Sequence, residues 1–433
     1  MRDHLWEGPT FRSAVLLVLV LTSPAAFAQA VAPVRSRVQQ ERAPLIETMR
    51  ELVGIESGSG DVDGLDRLSE LIATRLRALG SEVEFVAPPA DMVRFQNTPP
   101  RTGRSVVGRL RGTGTAKILL LAHMDTVYPR GMLAKQPFRI EGTRAYGLGI
   151  ADDKHGVALI LHALSALNAL NVRDYGLLTV LVNSDEEVSS PGSRSLITRL
   201  GSEHDLVLSC EGHGPGDEIR LTTAGIAAVQ LKVTGRASHA GSAPEQGRNA
   251  LYELAHQILQ TRDLSNTATG VKMNWTLASA GTVRNVIPAN AQATADVRVL
   301  RLGDYDGIEQ RIRDRIRTRL IPDTTVEMVF ERTRPPLEAT GASRRIAAHA
   351  QQVYRELGQD LKVLDSAPGG GTDAAFASLS TKAAVIEGLG LRTFGAHSNE
   401  AEYVELGSIE PRLYLLVRLI MDAARGKAGR TTN

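Results

Sequence analysis

The chain has a single cysteine, Cys210, in 433 residues. An intramolecular disulfide is therefore excluded in any compartment, and Cys210, closing the apolar run LVLSC, reads as a small core residue. Excess charge is missing as well. Lysine plus arginine number 50 against 48 acidic residues, a formal net charge of +2, and no long basic run occurs. That balance excludes the electrostatic footprint of a nucleic-acid-binding protein. Internal repeats and low-complexity tracts are absent. Long apolar runs are absent too: the stretch Ala14–Leu21 falls far short of the roughly 20 residues that span a bilayer. Arg12 precedes it and Ala26-Phe27-Ala28 follows, so residues 1–28 read as a secretory signal cleaved after Ala28. The mature chain is then a secreted protein with no membrane segment.

The remaining composition, 42% hydrophobic and 23% charged, is that of a globular protein, and the length suits two domains. Periodicity predicts helices over 35–53 and 63–79, the second with Leu65, Leu68, Ile72, Leu76 and Leu79 on one face. A strand is predicted at 82–86 and a polar, proline-containing loop at 88–104. Apolar strands at 117–122, 177–182 and 206–209, with a helix at 156–170, then set an α/β rhythm. Such strands suit a mostly parallel sheet covered on both faces. From Thr223 the texture changes to strand 226–233, helix 249–261, strands 273–278 and 292–299, helix 305–320 and strand 325–330. That is the order of a ferredoxin-like α+β unit. Helices at 343–357 and 408–424 and a strand at 383–386 restore the first pattern. The fold class is thus α/β, with residues 35–222 and 335–426 forming one domain and 223–334 an inserted α+β domain.

Acidic and histidine residues cluster after these apolar runs: His123 and Asp125 in LLLAHMDTV, Asp152 in GIADDKHG, Glu186 and Glu187 in NSDEEV, Glu211 in LSCEGHG and His397 in FGAHSNE. The carboxyl ends of strands are where an open α/β sheet places its reactive groups. Imidazole and carboxylate are zinc ligands, and two zinc ions clamp the attacking and departing oxygens of a hydrolysis. His123 and Glu211 would serve one ion, Glu187 and His397 the other, with Asp152 bridging. Asp125, two residues beyond His123 on an extended chain, can fix the imidazole tautomer. Glu186 diverges from its neighbour Glu187 and faces the water as general base. Each signal alone has a plainer reading: a solvated turn for Asp185-Glu186-Glu187, a helix cap for Asp152-Asp153. Their succession at strand ends favours the two-metal site.

The segments HMDTVYPRG, YGLGIADDKHG, NSDEEVSSPGSR, SHAGSAPEQGRNA, NVIPANAQATADVR, GGGTDAAFA and GAHSNEAEYV resemble the aminoacylase/carboxypeptidase family of di-zinc exopeptidases, and within it the glutamate carboxypeptidase branch. The resemblance implies the ligand, orienting and base roles just given, a periplasmic location, and a homodimer formed through the inserted domain. It also implies a cis peptide at Asp152-Asp153. His239 would reach a neighbouring active site to stabilise the oxyanion. Asn285, Arg298 and Arg334 would bind the substrate carboxylate, with Gly370 and Gly371 allowing close backbone approach. Thr372 and Asp373 read as helix caps. His155, and His213 after Glu211, depart from the branch's pattern.

The expected function is a zinc-dependent amide hydrolase, with two zinc ions per subunit. It would release a C-terminal amino acid, glutamate on this reading, from N-acyl or folate-like small molecules. A dipeptidase or N-acyl-amino-acid deacylase of the same family is the alternative. A non-catalytic binding protein on the same scaffold would lack the base or a ligand, and Glu186 and all five ligands are present.

Overall fold

The computed structural model describes residues 25–367, 369–398 and 401–427. The apolar stretch read as a signal lies outside them. A six-stranded sheet forms the centre, in the order Glu82–Val86, Ser105–Arg111, Leu177–Asn183, Lys117–His123, Leu206–Ser209, Ala384–Ile386. The last four run parallel, and the first two turn antiparallel at one edge.

Both faces of the sheet are covered. Ile118, Leu120 and Ala122 join the large core under the helices Ala25–Val53, His155–Ala169, Gly341–Arg355 and Ile409–Ala424. Leu119 and Leu121 point the other way, into a smaller core with Leu196, Leu200 and Phe376. This alternation explains why the strand is apolar throughout: each face of a strand has period two, and here both faces are dry.

A second sheet, Lys272–Ala280, Asn290–Val299, Gly225–Thr234, Thr325–Arg334, is wholly antiparallel. The helices Ala250–Thr261 and Asp304–Arg315 pack on it, and its core runs from Ala227 to Ile316 with Val229, Leu254 and Ile308 fully buried. The second helix ends at Arg315, short of the predicted 320. Tertiary bonds claim the next residues: Gln257 donates to the Thr318 carbonyl at 2.9 Å, and Glu253 accepts from Leu320 and Ile321 at 2.9 and 2.7 Å.

Periodicity did not foresee the short strands Arg139–Glu141, Arg144–Tyr146, Thr393–Phe394 and Tyr403–Glu405, which form a third small sheet. Two or three residues are too few to show a period. The sheet matters because Tyr403 pairs with Tyr146, which holds the loops carrying Asp152 and His397 side by side. Among the described residues, no helix is long and apolar enough to cross a membrane.

Leu120 is completely buried in the middle of the strand that ends at His123. Leu120→Ala is expected to cost about 2–5 kcal/mol of unfolding free energy in a denaturant titration. A loss below about 1 kcal/mol would contradict this packing.

Candidate active site

Strand ends deliver the first groups. His123 is the last residue of its strand; Glu186 and Glu187 follow strand Leu177–Asn183 by three and four residues; Glu211 follows Ser209 by two. Asp152 comes instead from the turn entering helix His155–Ala169, and a cis peptide joins it to Asp153. His397 comes from the loop of the small sheet, at a left-handed φ of 65°. Left-handed backbone costs a non-glycine residue of order 1 kcal/mol. Ser189 and Ser190, just after the glutamates, are also left-handed, at φ of 70° and 54°.

Asp152 lies between the two histidines. Its Oδ1 is 2.9 Å from His123 Nε2, and its Oδ2 is 3.2 Å from His397 Nε2. Glu211 approaches His123 Nε2 at 3.4 Å and Glu187 approaches His397 Nε2 at 3.0 Å. Ligand atoms of Asp152, Glu187 and His397 fall within 4.8 Å of one another, as do those of His123, Glu186 and Glu211. Glu186 and Glu187 sit on a single 3-10 turn, Glu186–Val188, rather than on extended chain, and their carboxylates still part company.

The electrostatics favour a cation. Burial and the charge of Asp152 push Glu187 and Glu211 up to about 7. Burial likewise raises Glu186, against the pull of Arg334. Hydrogen bonds to Asp152 and Glu187 push His397 up to about 11, and His123 is raised although burial opposes it. Asp152 is depressed because the two histidines outweigh its burial. Protonated imidazoles are thus the counter-charge the carboxylates recruit, and metal ions of higher charge fit the same six donors.

Asp125 does more than tautomer selection requires. His123 Nδ1 lies 3.1 Å from the Asp125 backbone carbonyl and 3.3 Å from its carboxylate. That carboxylate also accepts from the backbone N–H of Glu186 at 3.0 Å and Glu187 at 3.1 Å, and from Ser59 at 2.7 Å. One buried aspartate therefore fixes an imidazole and the turn bearing both glutamates.

Arg334, expected on the substrate, is 4% exposed and faces protein carboxylates: Nη1 is 2.6 Å from Glu186 Oε1 and 3.0 Å from Asp373 Oδ1. Its Nη2 donates to the Glu186 carbonyl at 2.6 Å. Asp373 stands at the N-cap position of helix Ala374–Ser378, but its side chain makes no capping bond. It accepts from Asn183, Ser190 and Arg334, while Thr372 accepts from the Ala374 N–H. Arg298 is paired with Asp296 at 2.8 Å and donates to the Gly369 carbonyl at 3.0 Å. A side chain at Gly371 would meet Arg334 Cδ at 2.5 Å, whereas nothing crowds Gly370, whose carbonyl accepts from Ala224.

His239 and Asn285 adjoin each other instead of the cluster. Both are exposed, and the Asn285 carbonyl accepts from Ala240 at 2.9 Å. His239 Nδ1 accepts from Gly241 and Ser242 at 3.1 Å, which assigns the proton to Nε2 and leaves that nitrogen an outward donor. His155 and His213 are buried and held neutral, His155 pushed down to about 4 by burial and His213 lowered for the same reason. Cys210 is fully buried, and burial raises its thiol.

Glu402 escaped the sequence reading. It is 2% exposed and accepts from Gly149 at 3.1 Å, Ala151 at 2.8 Å and the Tyr128 hydroxyl. It thereby ties together the loops that follow His123, precede Asp152 and follow His397. Its place inside GAHSNEAEYV was the available signal, but an acid in a loop carries no mark of three donors arriving from elsewhere.

The model of peptidase family M20/M25/M40 matches residues 119–422. Carboxypeptidase G2 of Pseudomonas sp. (strain RS-16) is 45% identical over 388 residues, 89% of this chain and 91% of that protein. Acetylornithine deacetylase of Proteus mirabilis (strain HI4320) is 26% identical over 87% of this chain and 95% of its own. Among solved structures, a tripeptidase from Staphylococcus aureus shares the fold, with a TM-score of 0.73 at 19% identity over 89% of this chain and 99% of that one.

Two outcomes follow from the geometry. Arg334→Met leaves two buried carboxylates without their cation and should cost about 3–5 kcal/mol in stability. Because Arg334 lowers the pKa of Glu186, its loss should move the acid limb of the kcat/KM profile to higher pH; an unmoved limb would separate Arg334 from the base. Glu402→Gln places an amide N–H against the Gly149 N–H, so a loss of about 1–3 kcal/mol and faster metal loss to a chelator are expected. Wild-type metal retention would refute the tethering role.

Proposed function

The chain belongs to peptidase family M20/M25/M40, and from that premise we propose that it is a zinc-dependent exopeptidase releasing C-terminal glutamate from N-acyl or folate-like substrates. The observation that carries this reading is Asp152 reaching both His123 and His397, with Glu186 free of that bridge and paired to Arg334. The 45% identity to carboxypeptidase G2 supports the leaving group. The similarity to acetylornithine deacetylase keeps an N-acyl-amino-acid deacylase as the second reading.

His123, Glu211, Asp152, Glu187 and His397 would hold two zinc ions, which when bound activate water and polarise the scissile carbonyl. Glu186 takes a proton from the attacking water and hands it to the leaving amide nitrogen. Asp125 keeps His123 and the Glu186–Glu187 turn in register. Arg298 and Arg334, with the backbone of Gly370 and Gly371, receive the carboxylate of the leaving residue. Arg334 would then exchange part of its hold on Asp373 for the substrate. His239, with Asn285 beside it, offers its Nε2–H to a neighbouring active site.

That last role requires a second copy, and we assign residues 223–334 as an inserted dimerisation domain. Strand Lys272–Ala280 is an edge strand, and helix Ala250–Thr261 exposes Tyr252 at 62% and Leu259 at 59%. A homodimer would cover such a face. The protein is placed in the periplasm after loss of residues 1–28.

Glutamate release from a folate and from N-acyl glutamates, assayed on the zinc-loaded protein, is the expected result; hydrolysis confined to N-acetylornithine or dipeptides would move the specificity. Glu186→Gln should lower kcat by about 10²–10⁴-fold with metal content unchanged. Turnover near wild type would remove Glu186 as the base.

A further inference from the structure

We propose that Arg194 is a positioning residue for the hydrolysis, holding Glu186 and Arg334 in register across the gap between the central and the antiparallel sheet. The proposal rests on the functional reading above, in which Glu186 is the base and Arg334 receives the substrate carboxylate. Arg194 Nη2 donates to the Ser189 carbonyl at 2.6 Å and to the Thr333 carbonyl at 2.8 Å. Ser189 closes the turn Glu186–Val188, and Thr333 immediately precedes Arg334 in its strand. One nitrogen atom therefore joins the turn bearing the base to the strand end bearing its counter-charge.

Local rules disfavour an arginine here. Arg194 opens helix Arg194–Glu203, and the positive end of a helix dipole repels a cation. Burial, and then the charge of nearby Arg334, pulls its pKa down to about 10, so it is still a cation at neutral pH. What offsets these costs is specific to a flat guanidinium. The rings of Phe95 and Phe376 have centroids 4.7 and 4.8 Å from Arg194 Cζ, within reach of a cation–π contact. Arg334 Cζ lies 5.9 Å from the same Phe376 ring, so that ring serves both cations. The acceptors are unusual as well. Strand Thr325–Arg334 shifts register between Arg332 and Arg334, which makes Thr333 the extra, unpaired residue of a bulge. Ser189 is left-handed at φ 70°, as is Ser190 at 54°, whose carbonyl accepts from Arg194 Nε at 3.3 Å. Each irregular stretch of backbone presents a carbonyl to the same side chain. Such conformations persist where the surroundings over-determine them.

The test is steady-state hydrolysis by Arg194→Lys and Arg194→Met of whichever amide the wild-type protein cleaves, with zinc content measured in parallel. Both should lose about 10–100-fold in kcat/KM at unchanged zinc content, the scale of a misplacement of about 1 Å. Lysine should not substitute, because it lacks the planar fork and the flat face. In Arg194→Ala, added guanidinium ion should restore much of the lost kcat/KM, and potassium chloride of equal ionic strength should not. A merely structural role would lower Tm without that rescue. Phe95→Leu removes one stacking face from a loop and should give a smaller loss in the same direction, so it reports if the Arg194 variants fold poorly. Hydrogen exchange reads the link without turnover: in Arg194→Met, peptides covering 184–191 and 330–336 should both exchange faster. Near-wild-type kcat/KM in both the lysine and the methionine variant, or faster exchange in only one of the two segments, would overturn the proposal. Coupled exchange in a protein that cleaves no amide would instead sink the functional reading and leave the link standing.

Discussion

Crowding of like charge is the constraint on which this structure depends. Asp152, Glu186, Glu187 and Glu211 converge at one end of the central sheet, with Asp125 and Asp373 behind them. Two carboxylates 4 Å apart repel by about 4 kcal/mol at an effective dielectric of 20. The fold answers with counter-charge in three forms. Arg334 stands between Glu186 and Asp373. The histidines flank Asp152. Backbone N–H groups converge on Asp125 and Glu402. The imidazoles and carboxylates that face one another across the cluster are donors of the kind zinc takes.

Rigid elements make such crowding tolerable. His123 is at the end of a strand buried on both faces, and its neighbours in the sheet deliver Glu186, Glu187 and Glu211. Those positions are inherited from the core. Asp152 and His397 have no such support, and the small third sheet and Glu402 supply it. Left-handed backbone occurs at His397, beside the small sheet, and at Ser189 and Ser190, just after Glu187. Strain of this kind persists only where the surroundings over-determine it.

The sequence disclosed what is local. Strand Glu82–Val86 was legible to the residue from its alternation, and Leu206–Ser209 from a short apolar run with clean ends. The positions of His123, Glu186, Glu187 and Glu211 at or just beyond strand ends were legible in the same way, whereas Asp152 and His397 come from a turn and a loop. Partnerships were not. Arg334 ends a strand before two prolines and looks like a surface charge, yet it is buried against residues 148 and 39 positions away. Asp373 sits where a helix cap belongs and serves Arg334 instead. Glu402 and the third sheet depend on contacts across more than 250 residues, which no local pattern encodes.

The central claim is that the cluster exists to hold two metal ions. Metal analysis by mass spectrometry, on protein purified without chelator and dialysed against trace zinc, tests it most directly. The account predicts two equivalents of zinc per chain, falling to about one in His397→Ala. A chain that keeps no zinc after dialysis, or whose zinc content is indifferent to His397, would contradict it.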